Sequence, residues 1–528
     1  MQASQFIRQK DSLKALRCPH EETWRQCYLY TYPIKASGFY GDNYDAREAQ
    51  TKRAELLDST ATKSSRILAS AIVAGMTPAN SLWFGLDVGN ESDEERRWLS
   101  DNAKLLWENI HLSNFDSAGY ESALDIVIAG WFVLYIDEAD EGGFMFEQWS
   151  LSNTYVSASK PGGLVDTIYR EFSLTAEQAY NTYGDELSAD TIKLAKEKPS
   201  ELVQFILCIH PRTTYVTSPK LAKNMPFASV HIECNAKKTV RESGYHEFPC
   251  VVPRWLMIPE TPYAIGPVFD ALPDIKMLNE MKRMQLAAAD LAIAGMWIAE
   301  DDGVLNPRTV KVGPRKIIVA NSVDSMKPLQ TGSNFQLSDI LVSNLQASIR
   351  EALMADQLQP QDGPAMTATE VHVRVGLIRQ LLGPVYGRLQ SEYLQPLIER
   401  CFGIAYRAGV FSPPPESLRN REFNVKYNSP LSRAQKLEDV TAIERLHMSV
   451  AQVAQYNPAV LDLVDDDQAL RVMGEALGVP NKVLRDENAV ELVREKRAQD
   501  QQAAQQQAMS QQLQQTAGEE VIKTAVGK

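Results

Sequence analysis

Apolar residues recur at helical spacing near both ends of the chain and through its middle, with a strand-rich stretch in between. Helices are predicted over 11–32 and 45–76. In the second, Asp58, Ser59 and Thr60 supply polar N-terminal signals. Ile67, Leu68, Ala71 and Ile72 then return every three or four residues, and Gly75 with Thr77-Pro78 stops the run. Ser92 to Glu95 reads as a capping box that opens a further helix carrying Trp98, Leu99, Leu106 and Ile110 on one side. The apolar run Ile126 to Ile136, with a central Gly-Trp, reads as a buried strand. Phe144–Leu151, Tyr155–Ser159 and Val165–Phe172 follow as strands at short intervals. Thr175-Ala-Glu-Gln178 is a second capping box, starting a short helix that Gly184 ends. Leu202–His210, Ala228–Cys234 and Val240–His246 are strands again, the last two a hairpin across Asn235–Lys238.

Beyond residue 265 the pattern changes. Val268 to Ala299 is one long helical run, and the roughly 28 residues of its core, Asp270 to Trp297, span about 40 Å at 1.5 Å per residue. A short module rich in turns and β-branched residues follows, then a helix from Phe335 to Gln359, broken by PQDGPAM. Another helix runs from Thr367 to about Ala408, with a kink expected at Gly383-Pro384. Two long helices flanking a small β module cannot bury their apolar faces within so thin a hairpin. Their partners are predicted to be helices of neighbouring copies. The last hundred residues read as helices over 431–456, 465–477 and 487–515. Ten of the 17 residues in 499–515 are glutamine, so the tail has almost no apolar face of its own. The fold class expected is α+β, mainly helical.

At 528 residues the chain is long enough for two or more packed units. A net charge of −13 argues against a surface that grips nucleic acid by neutralising phosphates, yet suits a wall past which DNA must slide. Six cysteines without a C-x-x-C pair read as reduced thiols. The N-terminus lacks the apolar core of a signal peptide, and Leu286–Ala299 falls short of the roughly 20 apolar residues of a bilayer span. A soluble protein, cytoplasmic when made, is expected, with no membrane partner.

The sequence holds no P-loop, no H-E-x-x-H and no G-x-S-x-G, so no catalytic residue, cofactor or metal is assigned. The densest acidic group, Glu300, Asp301 and Asp302, reads as solvated punctuation at a helix end; a nuclease or hydrolase using it as metal ligands is the competing class. The best zinc candidate is His231 and Cys234 with His246 and Cys250, and the strand reading undercuts it, because His231 and Cys234 point to opposite faces. Arg308, Lys311, Arg315 and Lys316 cluster in the β module. The plain reading is an exposed face; the sharper one is a docking surface for an acidic partner or DNA backbone.

The order of these blocks resembles the portal, or head-to-tail connector, family of short-tailed bacteriophages. LLDSTATKSSRILASAIVAGMTPANSLWFGL (Leu56–Leu86) is similar to the family's N-terminal helix, and VDTIYREFSLTAEQAYNTYG (Val165–Gly184) to the strand and capped helix of its wing. Phe248–Asn279 resembles the approach to the first stem helix. Thr367–Val410 is the most specific block, and Ser429–Arg445 resembles the return into the wing and the start of the crown.

The resemblance implies a portal fold: wing 1–267, first stem helix 268–299, clip 300–332, second stem helix 333–359, tunnel loop 360–366, a long kinked helix and return 367–430, and a helical crown 431–528 ending in the Gln-rich tail. It implies a dodecameric ring at one capsid vertex that passes double-stranded DNA without reading its sequence. The partners implied are the terminase large subunit, then the tail adaptor, with capsid and scaffolding proteins; the place is the virion, after assembly in the host cytoplasm. Pro360, Gln361, Asp362, Gly363 and Pro364 would face the channel. That loop has no Lys or Arg, so steric contact, set by two prolines and a glycine, is the role expected of it. The alternative is an elongated helical scaffold or adaptor of the virion without a DNA channel.

Overall fold

The computed structural model describes residues 2–36, 38–39, 46–88, 93–139, 141–215, 221–294, 297–299, 326–328, 335–358, 383, 385–418, 424–427, 430–477, 490, 492–497 and 499. These form a mainly helical α+β protein in two compact units, residues 1–84 with 102–412, and 85–101 with 413–528.

In chain order the helices begin with α1 (Ala3–Leu29), α2 (Ala46–Ala54), α3 (Thr60–Met76), α4 (Asp93–Leu112) and α5 (Phe115–Ala129). There follow α6 (Ala176–Tyr183), α7 (Ala189–Glu197), α8 (Pro267–Ala294), α9 (Phe335–Ala352), α10 (Ala355–Leu358), α11 (Gln395–Arg407), α12 (Pro430–Ala454) and α13 (Asp466–Leu477). The strands open with β1 (Phe84–Asp87), β2 (Val133–Glu138), β3 (Phe144–Trp149), β4 (Thr154–Ser157), β5 (Thr167–Thr175), β6 (Leu202–Pro211), β7 (Phe227–Glu233) and β8 (Lys238–Tyr245). Short pieces complete the set: β9 (Cys250–Val251), β10 (Leu256–Met257), β11 (Ala264–Ile265), β12 (Trp297–Ala299), β13 (Met326–Pro328) and β14 (Asn424–Tyr427).

The large sheet of the first unit is an antiparallel meander, β4-β5-β6-β7-β8. Alternation along its strands serves two cores. Tyr155, Tyr169, Ile206, Cys208, Val230 and Ile232 pack with Ala3 and Phe6 of α1. Val203, Phe205 and Val240 point the other way, onto Ala176, Ala179 and Tyr183 of α6. The capping box forms as read: the Gln178 N–H donates to Thr175 Oγ1 (3.2 Å) and the Thr175 N–H to Gln178 Oε1 (3.1 Å). On α1 the buried Arg17 donates to the carbonyls of Leu151, Ser152 and Thr154 at 2.6–2.7 Å and to Glu21 at 2.7 Å, fixing the turn that enters β4.

Ile126–Ile136 is not one strand. The chain is helical to Ala129, turns through Gly130 at φ 88°, and becomes strand only at Val133. All of Leu124–Ala129 is buried, and a helix buried all round has no periodicity to tell it from a buried strand. The predicted helix 45–76 is two, parted at residues 55–59, with Asp58 accepting the Thr60 N–H (2.8 Å). The predicted helix 335–359 breaks where Met354 takes a left-handed φ of 55°. The helix predicted to reach Ala299 stops at Ala294, and Trp297–Ala299 pairs antiparallel with Met326–Pro328, as suits its aromatic and β-branched residues. Pro384 and the Ser92 cap lie outside the described residues. A π-helical turn spans Gln390–Leu394, because Pro396 has no N–H for the Glu392 carbonyl and the backbone widens there. Glu392 in that turn forms a buried pair with Arg254, at 2.7 and 2.9 Å.

The start of α8 is set by backbone contact. A Cβ on Gly130 would lie 2.0 Å from the Ile265 carbonyl carbon, and one on Gly266 would lie 2.5 Å from the Val127 carbonyl oxygen. Trp24, Trp131 and Tyr263 close around this crossing with ring centroids 5.3–5.5 Å apart, and Trp24 Nε1 donates to the Ala264 carbonyl (3.0 Å).

On α11, Arg400, Gly403 and Arg407 share one face, and Glu247 lies against it. Arg407 donates at 2.5 and 2.7 Å and Arg400 at 3.1 Å, while Gly403 leaves room for the carboxylate. Burial opposes ionisation of Glu247, but Arg407 and Arg400 overcome it and hold its carboxyl below the ordinary range.

Two predictions follow from these junctions. Gly266→Ala should cost about 2–3 kcal/mol through overpacking alone, although its φ is ordinary. Gly130→Ala should cost more, since the left-handed backbone adds about 1–2 kcal/mol. Gly75→Ala, on an open face of α3, should be neutral or slightly stabilising; urea denaturation that ranks Gly266→Ala with Gly75→Ala would contradict the packing. For Glu247 the folded pKa is the lower one, so its stabilisation is present above the unfolded value near 4.5 and is lost as pH falls through the folded value. Glu247→Gln should lower stability at neutral pH and flatten the acid limb; a urea midpoint that falls as steeply below the ordinary carboxylate range in the variant as in the wild type would refute it.

Candidate functional site

Helices α8 and α9 are the elements that bracket the small β module, and they run antiparallel. Gln285 Nε2 donates to Ser338 Oγ (2.8 Å) and Asp339 Oδ1 (3.0 Å), and Ser348 Oγ donates to Asp274 Oδ2 (2.6 Å). The first half of α8 is embedded. Val268, Ala271, Leu272, Ile275 and Leu278 are buried, and Asn279 ties the 55–58 segment by accepting the Leu57 N–H (2.8 Å) and donating to the Glu55 carbonyl (3.2 Å). Lys276 donates to Gln26 of α1 and lies 5.7 Å from the Tyr30 ring. Gln346 of α9 donates to Asp58 (2.7 Å).

From Asn279 to Asp290 no residue is buried. Along this stretch α8 is paired with α9, whose Val342 is buried, and among the described residues α8 itself has no buried side chain there. Phe269, Pro273, Met277, Met284 and Ala287 recur at helical spacing on the face opposite the buried one and are all exposed, Met277 and Met284 by 58% and 57%. Ile340 and Leu341 are exposed on α9. This outer stripe was not singled out from sequence. Its signal is present, since α8 is apolar on more than one face, a pattern that means burial on more than one side.

The residues predicted to carry function do not come together in what is described. Pro360, Gln361, Asp362, Gly363 and Pro364, the residues Arg308, Lys311, Arg315 and Lys316, and Glu300, Asp301 and Asp302 all lie outside the described residues. The structure gives their frame in part: β12 and β13 pair at the two ends of 300–325, and α10 ends at Leu358, two residues before Pro360.

The zinc candidates are all described, and they part. His231 Nδ1 meets the Tyr183 hydroxyl (2.9 Å) on the α6 side of the sheet, whereas Cys234 packs with the α1 side. Cys250 is buried where β9 pairs β2. Burial, with Arg241 nearby, lowers the His231 pKa to about 4, so the ring is neutral and serves as a core residue. Among the described residues no group of metal ligands forms, and no helix is long and apolar enough to cross a membrane.

Comparison with known proteins places these features. Residues 3–484 match the family described as bacteriophage head to tail connecting protein. A "Probable portal protein" of Bordetella phage BPP-1 is 28% identical over 515 residues, covering 92% of this chain and 89% of its own length. The "Portal protein" of Salmonella phage epsilon15 is 27% identical over 523 residues, covering 96% and 93%. Among solved structures, a chain in the neck of an empty GTA particle computed with C6 symmetry covers 78% of this chain and 88% of its own, at 11% identity and a TM-score of 0.34, too remote a likeness to bear on the function. With the match running through both compact units, this chain belongs to the bacteriophage head-to-tail connecting protein family.

Proposed function

We propose that this chain is a portal subunit, copies of which close into a ring of about twelve at one capsid vertex. Double-stranded DNA passes through its channel during packaging and ejection, and the ring docks the terminase large subunit first and the tail adaptor afterwards, within the capsid and scaffolding shell. It acts as a structural part of the virion, not as a catalyst. The observation that carries the reading is the outer apolar stripe of α8, which has no cover among the described residues and which an adjacent copy would bury. The portal names of relatives matched over nearly the whole chain support the same assignment.

On this reading residues 1–267 are the wing and the hairpin of α8 and α9 is the stem. The module between them, including the β12–β13 pair, is the clip, residues 360–366 the tunnel loop, 367–430 the kinked helix and return, and 431–528 the crown. Arg308, Lys311, Arg315 and Lys316 would be an exposed face of the clip, or its docking surface for an acidic partner or DNA backbone. The net charge of −13 favours a channel through which DNA slides over one that holds it by its phosphates. Retention falls to the tunnel loop by steric contact.

Two experiments test this. Met277→Asp with Met284→Asp, both more than half exposed in the single chain, should leave secondary structure intact and abolish ring formation; rings at the wild-type concentration would defeat the stem assignment. Deleting Gln361–Pro364 should leave rings intact and impair DNA retention in filled heads. Normal retention would remove the loop from the account.

A further inference from the structure

The second unit carries two apolar patches of its own. Helix α12 packs on α13 through a stripe at spacings of three and four, Val440, Ile443, His447, Val450 and Ala454, from which His447 approaches Asp466 (3.6 Å). A second stripe runs beside it: Ala442, Leu446, Ser449 and Val453, continued by Tyr456 in the turn after the helix. Its steps are four, three, four and three, and every member is exposed, Tyr456 by 91%. That spacing is the seam of a helix that expects another helix alongside. The second patch follows the seam in sequence. Leu463, in the 3₁₀ turn Pro458–Leu463, and Leu470 of α13 lie seven residues apart and are exposed by 79% and 59%.

We infer that the α12 seam of one copy seats on the Leu463–Leu470 patch of the next copy, giving the C-terminal unit its own head-to-tail contact in the ring. This rests on the ring reading above. A closed ring needs two different, mutually fitting faces on each subunit, which one self-matching patch does not supply. The charges do not oppose it: Arg445 borders the seam beside Glu444, while Asp465, Asp466 and Asp467 lie between Leu463 and Leu470, Asp466 near His447 and Asp467 paired with Arg494. The size agrees as well. A seam from residue 442 to 456 is about 21 Å long. At a helix width of about 10 Å it falls well short of the roughly 800 Å² per side of a free-standing complex, so it fits one part of a contact repeated between copies better than a site for a separate protein.

Oxidative footprinting of the full-length protein tests the contact, comparing the assembled form with the same protein diluted below its assembly concentration. Labelling of Leu446, Val453 and Tyr456, and of Leu463 and Leu470, should fall several-fold on assembly. Met448, which is exposed on α12 off the seam, should label equally in both states. Protection of the α12 positions alone would mean a symmetric seam-to-seam contact and would overturn the head-to-tail form. Low labelling in both states would mean that the chain's own C-terminal residues cover the seam, and would also overturn it. Rings that form with no protection at either patch would refute this contact and leave the portal reading standing. A protein that never assembles would take both down.

Discussion

Two glycines in backbone contact set where everything else can go. At Gly130 the chain leaves a fully buried helix and turns into β2; at Gly266 it leaves the β10–β11 pair and begins α8. Neither position has room for a Cβ. The crossing directs α8 away from the core, and the Trp24, Trp131 and Tyr263 rings hold it from the side. Because helices are stiff over this length, the direction imposed at Gly266 is the direction of the whole projecting hairpin. A protein whose proposed work is to hold a channel of fixed shape needs its long helices rooted in this way. A close backbone contact leaves little room for either segment to shift, and a densely packed interior transmits displacement.

The same crossing shows what could be read in the sequence. Elements with a strand pattern, a cap or a long helical run were legible: the Thr175 capping box, the β7–β8 hairpin and most of the length of α8. Ile126–Ile136 was not, since a helix buried on every side and a buried strand present the same run of apolar residues. What decides between them is Gly130, whose left-handed turn is required by a partner more than a hundred residues away. Pro396 was overlooked for a similar reason. Its consequence, the π turn that presents Glu392 to Arg254, depends on a tertiary partner that no local pattern contains. At the site, sequence supplied the two-helix hairpin and the expectation that other copies cover it. It did not single out Phe269, Met277 and Met284, because a second apolar stripe shows as such only when the first is known to be occupied.

Chemistry is located differently from assembly in this chain. Several buried charged groups hold elements together: Arg17 on the turn into β4, Arg254 with Glu392, and Arg400 with Glu247, which Arg407 also reaches. His231, the residue closest to a ligand in the sequence reading, is taken by Tyr183. Among the described residues, exposed apolar side chains recur at helical spacing on α8 in the first unit and on α12 in the second, with Leu463 and Leu470 beside them in sequence. That distribution suits a subunit whose free energy of function is stored in contacts with its own copies.

The central claim is that those copies form a closed ring, and imaging the purified full-length protein by negative stain, alongside its mass in solution, addresses it most directly. The account expects annular particles with a central hole and a mass near twelve chains. Open filaments, or a protein that remains monomeric at every concentration tried, would contradict it.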